Sequence, residues 1–145
     1  MDEQSRLLLA EDAAAAGSLL AEHGGFIEPD PAGVAGTYWA TMHPRSAQGE
    51  TYIVRIAWTR YPDEPPSVKF AEGIAGSLAV VRAWPVVPGY RAGNFDICAP
   101  FTAEGYLTHP EWRTQAPWPT SGNPFLWVVD TLQGDLDRNY GGRAT

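Results

Sequence analysis

Residues 51–70 read TYIVRIAWTRYPDEPPSVKF. The first half is rich in Thr, Tyr, Ile, Val and Trp and partly alternates with a period of two, the pattern of a strand with one face buried. Pro62, Pro65 and Pro66 cannot donate to a β-ladder, so the chain must turn there before a short further strand, SVKF. Upstream, GGFIEP and GTYWATMHP have a similar composition and are set off by Pro, Gly, Ser and Gln. The four runs together predict an antiparallel meander.

Helical patterns flank the meander. Leu9, Ala13, Ala16 and Leu20 recur at i, i+4, i+7 and i+11, with Glu11, Asp12 and Ser18 between them and a Gly24-Gly25 stop. Near the other end, Asn123 suits an N-cap, Pro124 suits a first helical turn, and Phe125, Val129, Leu132 and Leu136 share one helical face. Between Ala71 and Pro119 periodicity mostly fails, which predicts a long irregular region of the kind that carries function. The closing GGRAT reads as a flexible tail. With no internal repeat and no linker, residues 1–145 are expected to form a single α+β domain.

Composition narrows the function. The chain has 145 residues, 44% of them apolar, and a formal charge of −7. That charge disfavours nucleic acid and anionic membrane surfaces as partners, because both are held by clustered Lys and Arg. No run approaches the ~20 apolar residues of a membrane span, and the N-terminus is acidic where a signal peptide would be basic, so a cytoplasmic protein is expected. One cysteine and three histidines, His23, His43 and His109, show no zinc-ligand spacing, and a structural metal is not expected.

The single cysteine lies in GNFDICAPFTAEGYLTHPEW, residues 93–112. A free cysteine is usually a buried filler, but Cys98 follows Ile97 in an irregular stretch containing Gly93 and Asn94, where a side chain can be displayed on a loop. Asp96 two residues upstream and the acidity of the chain suit relay of an acyl group between thiols better than fast attack on a peptide bond. His109, 11 positions after Cys98, and Asn94, four before it, are the candidate partners of the nucleophile, with Tyr90 a weaker one. Trp84, Trp112, Trp118 and Trp127 read as packing residues rather than a ligand cage.

The order of these parts resembles the ubiquitin-conjugating enzyme fold. The resemblance is carried by residues 38–70, above all by the segment Tyr61 to Phe70, which is similar to the family's Tyr-Pro-x-x-Pro-Pro-x-Val-x-Phe run. GNFDICAP is similar to the family's cysteine segment, and Trp118-Pro119 is followed, as in that family, by a helix. Three features depart from the family pattern. Pro88-Gly89-Tyr90 stands where His-Pro-Asn is usual, the interval from Cys98 to Trp118 is about a dozen residues longer, and two C-terminal helices are missing. The chain thus looks like the compact prokaryotic members associated with ubiquitin-like modification and antiviral-defence operons.

The resemblance implies that Cys98 accepts a ubiquitin-like protein as a thioester from an activating enzyme and passes it to an amine on a protein target, a nucleotide cyclase being one candidate. It implies no cofactor, since ATP is consumed upstream. It also leaves the role of the missing asparagine to His109 or Asn94. Two other readings compete: a non-catalytic binding module of the same fold, and a thiol hydrolase built on a Cys98–His109 pair. Lys69, the only lysine, is expected on the fourth strand away from the cysteine loop, so that self-modification is minimal.

Overall fold

A computed structural model describes all 145 residues. Helix α1 (Glu3–Ala21) leads into a four-stranded antiparallel sheet of β1 (Phe26–Pro29), β2 (Thr37–Met42), β3 (Tyr52–Ala57) and β4 (Ser67–Ala71), in that spatial order. A ribbon of β5 (Tyr90–Arg91) and β6 (Asp96–Ile97) follows, then two short helices, α2 (Ala103–Thr108) and α3 (Trp112–Gln115), and the closing helix α4 (Pro124–Asn139). The α+β class and the single meander follow the sequence pattern. No helix is long and apolar enough to cross a membrane.

The end helices are fixed by their caps. Asp2 accepts the Ser5 N–H at 2.7 Å, and Asn123 accepts the Leu126 N–H at 2.9 Å, each satisfying an amide that the first helical turn leaves without a partner. Leu9, Ala13, Ala16 and Leu20 form the buried stripe of α1, and Phe125, Val129, Leu132 and Leu136 are buried on α4 as the spacing requires. Both stripes belong to the core over one sheet face, with Ala40, Met42, Tyr52, Val54, Ile56, Val68 and Phe70. Tyr61, from the proline-rich turn, is buried among them and hydrogen-bonds Asp12 of α1.

The opposite sheet face carries a row of long side chains. Glu28 pairs with Trp39, Trp39 with Arg55, and Arg55 with Lys69, so two cations stand side by side on β3 and β4.

Residues 71–119 are more ordered than their lack of periodicity predicts. The elements there are two to six residues long, too short to show a period, and they are held by tertiary contacts instead. The tail expected to be flexible is also docked. Gly141 donates to Val86 O at 2.7 Å, Val86 donates to Gly142 O at 2.7 Å, and Ala144 donates to Trp84 O at 2.9 Å. The Arg143 guanidinium sits 4.3 Å from the centre of the Tyr52 ring and reaches Glu50, the Thr51 carbonyl and the Arg82 carbonyl. These partners lie far away in sequence, so a polar pentapeptide gives no local sign of them.

Asp135 of α4 accepts the Tyr90 hydroxyl at 2.7 Å, tying the ribbon to the helix. Burial pushes the Asp135 carboxyl above its ordinary value, and the Tyr90 bond and Arg138 pull it part of the way back. A raised folded-state value means that the native protein holds the proton more tightly than the unfolded chain does. The group's contribution is therefore most favourable at low pH and is lost as pH rises through the folded-state value. Asp135→Asn keeps an acceptor for Tyr90 and removes that loss. It is expected to raise the melting temperature by ~2 °C at pH 7 and to give no gain below about pH 3, where the carboxyl is protonated in both states. Melting curves at the two pH values check this, and an equal gain at both would exclude ionisation as the cause.

Candidate functional site

The β5–β6 ribbon is a hairpin in which Tyr90 faces Ile97 and Arg91 faces Asp96. Its loop is a single 3₁₀ turn, Ala92–Asn94, closed by Phe95 in a left-handed conformation (φ 57°, ψ 41°). Arg91 clamps the open end of that loop with two 2.7 Å bonds to Asp96, which raise the guanidinium above its ordinary value.

Cys98 is the first residue past this ribbon and is half-buried. Its N–H donates to Gly89 O at 2.8 Å, so it stands opposite the Pro88-Gly89-Tyr90 segment. That contact uses main chain only, with Gly89 at φ +87°. The expectation that Tyr90 could serve the nucleophile fails, because the Tyr90 side chain is buried and spent on Asp135. The Cys98 amide is likewise already paired, so it is not free to hold an oxyanion.

Beyond Cys98 the chain makes a tight return. The buried Thr102 hydroxyl donates to Ile97 O at 2.6 Å and accepts the Gly105 N–H at 2.9 Å, joining the residue before the cysteine to the first turn of α2. Gly105 lies directly against Ala99, where a Cβ would come within 2.0 Å of Ala99 O. Glu104 binds the free edge of β4: Val68 N–H donates to its Oε1 at 3.2 Å and the Ser67 hydroxyl to its Oε2 at 2.6 Å. Arg55 donates to that same hydroxyl at 2.9 Å. Burial pushes the Arg55 guanidinium below its ordinary value, and Glu104 acts in the opposite direction. Thr102, Glu104 and Gly105 had no sequence signal as site residues, because each acts through a contact that only the tertiary fold creates.

Of the two candidate partners, Asn94 lies in the ribbon's 3₁₀ turn, exposed. His109 caps the C-terminus of α2, about 6 Å along the axis from the point where Gly105 crosses the cysteine loop. Its Nδ1 faces Glu111 at 2.9 Å, and its ring stacks on Trp112 at 4.3 Å. No hydrogen bond joins His109 to Cys98, so the structure does not assemble a Cys98–His109 pair.

Lys69 overturns a third expectation. It does not stand away from the cysteine loop, because Nζ donates to Phe95 O at 2.8 Å, three residues before Cys98. On the α4 side the loop borders a groove of about 450 Å³ walled by Pro100, Pro117, Pro119, Pro124 and Trp127. Trp127 is 39% exposed there. The described residues hold no cluster of His, Cys, Asp or Glu that could bind a metal ion.

No protein-family model matches the chain, and a comparison with curated proteins finds no relative of it.

Proposed function

We propose that the protein is a ubiquitin-conjugating-type carrier that holds a ubiquitin-like protein as a thioester on Cys98 and passes it to an amine on a protein target. The observation that carries the reading is the setting of Cys98. It is a half-buried thiol at the end of a clamped ribbon, with no base bonded to it, in a loop whose Pro100 lines a proline-walled groove. A thiol hydrolase needs a base within hydrogen-bond reach of its nucleophile. A carrier does not, since a thioester partner brings its own activated carbonyl. The element order agrees with the fold that the Tyr61–Phe70 segment suggested, and the groove offers an apolar wall to an extended segment of the donor. A bacterial modification or antiviral-defence setting, a cytoplasmic location, and a nucleotide cyclase as the target belong to the same proposal.

The test is a charging reaction with a prokaryotic-type activating enzyme and its ubiquitin-like protein, taken from the source genome where it encodes them. The carrier reading expects an adduct that a thiol reductant removes. An adduct that survives reductant on the parent protein, or none at all with an active activating enzyme, would refute it.

Discharge separates the two candidate partners. With Cys98 charged and the activating enzyme removed, Asn94→Ala is expected to slow transfer to an amine by roughly 100-fold, the loss typical of removing one oxyanion donor. His109→Ala is expected to change the rate by less than about threefold, because its ring is committed to Glu111 and Trp112. A large loss in His109→Ala with none in Asn94→Ala would return the role to the histidine.

A further inference from the structure

We propose that Lys69 is a positioning residue for Cys98: its ammonium holds the Phe95 carbonyl and thereby keeps the ribbon turn in the conformation that presents the thiol.

Three observations converge on it. Phe95 is a bulky residue in the left-handed region (φ 57°, ψ 41°), a conformation that a side chain of its kind rarely adopts unless its surroundings impose it. The group that meets its carbonyl is the Lys69 ammonium, at 2.8 Å. Lys69 itself stands directly opposite Arg55 in the β3–β4 register, an arrangement of like charges that weakens a sheet. Arg55 is answered by Ser67 and, through it, by Glu104. Lys69 takes part in no ion pair, so its fixed hydrogen bond is to the ribbon turn.

The two cations divide one task. Arg55, through Ser67 and Glu104, anchors the chain after the nucleophile, while Lys69 anchors the chain before it. Cys98 is thus suspended between two attachments to the outer face of β3 and β4. Releasing one should free the loop without unfolding the core, because the Lys69 side chain points away from the face on which α1 and α4 pack.

This inference rests on the carrier reading for its functional meaning, but its main test does not need that reading. Cys98 is the only cysteine, so alkylation of the full chain by iodoacetamide reports on it alone. The pH–rate profile of each variant is recorded up to about pH 9.5, below the usual range of a lysine ammonium, and the fitted plateau constants are compared, so that differences in the fraction of thiolate drop out. Lys69→Met keeps the aliphatic stem and removes the donor, and it is expected to raise the plateau rate by about fivefold as the loop opens. It is also expected to slow discharge of charged Cys98 by about tenfold, well inside the loss that a misplacement of about 1 Å can cause. Lys69→Arg, which retains a donor and the charge, should stay within about twofold of the parent in both assays.

Glycine takes the left-handed conformation without strain. In a Phe95→Gly background, therefore, Lys69→Met should change the plateau by less than about twofold. Equal effects in the two backgrounds, or an unchanged plateau in Lys69→Met with its near-UV circular dichroism intact, would overturn the latch. If Lys69→Met loses its near-UV signal, the Lys69→Arg rates decide, and a plateau there raised as far as fivefold would also overturn it. An altered plateau in a protein that never charges would refute the carrier reading and leave the latch standing, whereas normal charging with an unchanged plateau would refute the latch alone.

Discussion

Gly105→Ala is expected to destabilise the protein by about 2 kcal/mol, lowering the melting temperature by about 6 °C, and to slow transfer from Cys98 by about 100-fold. Two effects oppose each other at this position. Alanine is the better helix former by about 1 kcal/mol, which favours the substitution. Its Cβ, however, would lie 2.0 Å from Ala99 O, 2.8 Å from Ala99 C and 2.9 Å from Ala99 N. All three are backbone atoms of the residue after Cys98, so no side chain can swing aside. Either α2 lifts off, breaking the Thr102 and Glu104 bonds, or the cysteine segment moves. Overpacking of this kind typically costs about 1–3 kcal/mol and occasionally more, which exceeds the gain in propensity. Gly17 is the control, since it lies in α1 with nothing within 4 Å of a Cβ there. Gly17→Ala should stabilise by up to about 1 kcal/mol. Thermal melts of the two variants together check the argument, and a Gly105→Ala protein as stable as the parent would show that α2 is not seated on the cysteine loop.

The second large effect is at Cys98 itself. Cys98→Ala should reduce adduct formation to background, because no other cysteine exists to replace it. Cys98→Ser should still accept the acyl group, slowly, as an ester that reductant does not cleave. That ester should pass its cargo to amines far less readily, since an alkoxide is a poorer leaving group than a thiolate. Gel electrophoresis of the charging reaction with and without reductant distinguishes the three proteins in one experiment. Full charging of Cys98→Ala would move the nucleophile elsewhere. A serine ester discharging as fast as the parent thioester would remove the chemical reason for a cysteine.

The parts of the fold that repeat were legible in the sequence. The apolar stripe of α1, the face of α4 with its Asn123 cap, and the four strands all declare themselves through periodicity or a local capping residue. The candidate site announced itself only where chemistry is rare, at the one cysteine. Its surroundings did not. Gly105 is required by an approach of two backbones, and Gly89 acts through a carbonyl oxygen. Lys69 occupies an outward position on an alternating strand, where its lone sequence signal is that of a solvated charge. His109 was singled out because the usual upstream motif is absent and its loop is the insertion, yet its ring is engaged by Glu111 and Trp112 and makes no hydrogen bond to the thiol.

The meeting of Gly89 with Cys98 bears on how such a site can change over generations. Since the contact is made by main chain, replacing Pro88, or any neighbour whose side chain takes no part, leaves the hydrogen bond to Cys98 untouched. Selection on that contact falls on one torsion angle, the φ of +87° that favours glycine at position 89. The segment opposite Cys98 can therefore drift in sequence while its shape is preserved, and a search for fixed letters there would pass over molecules that keep the same geometry.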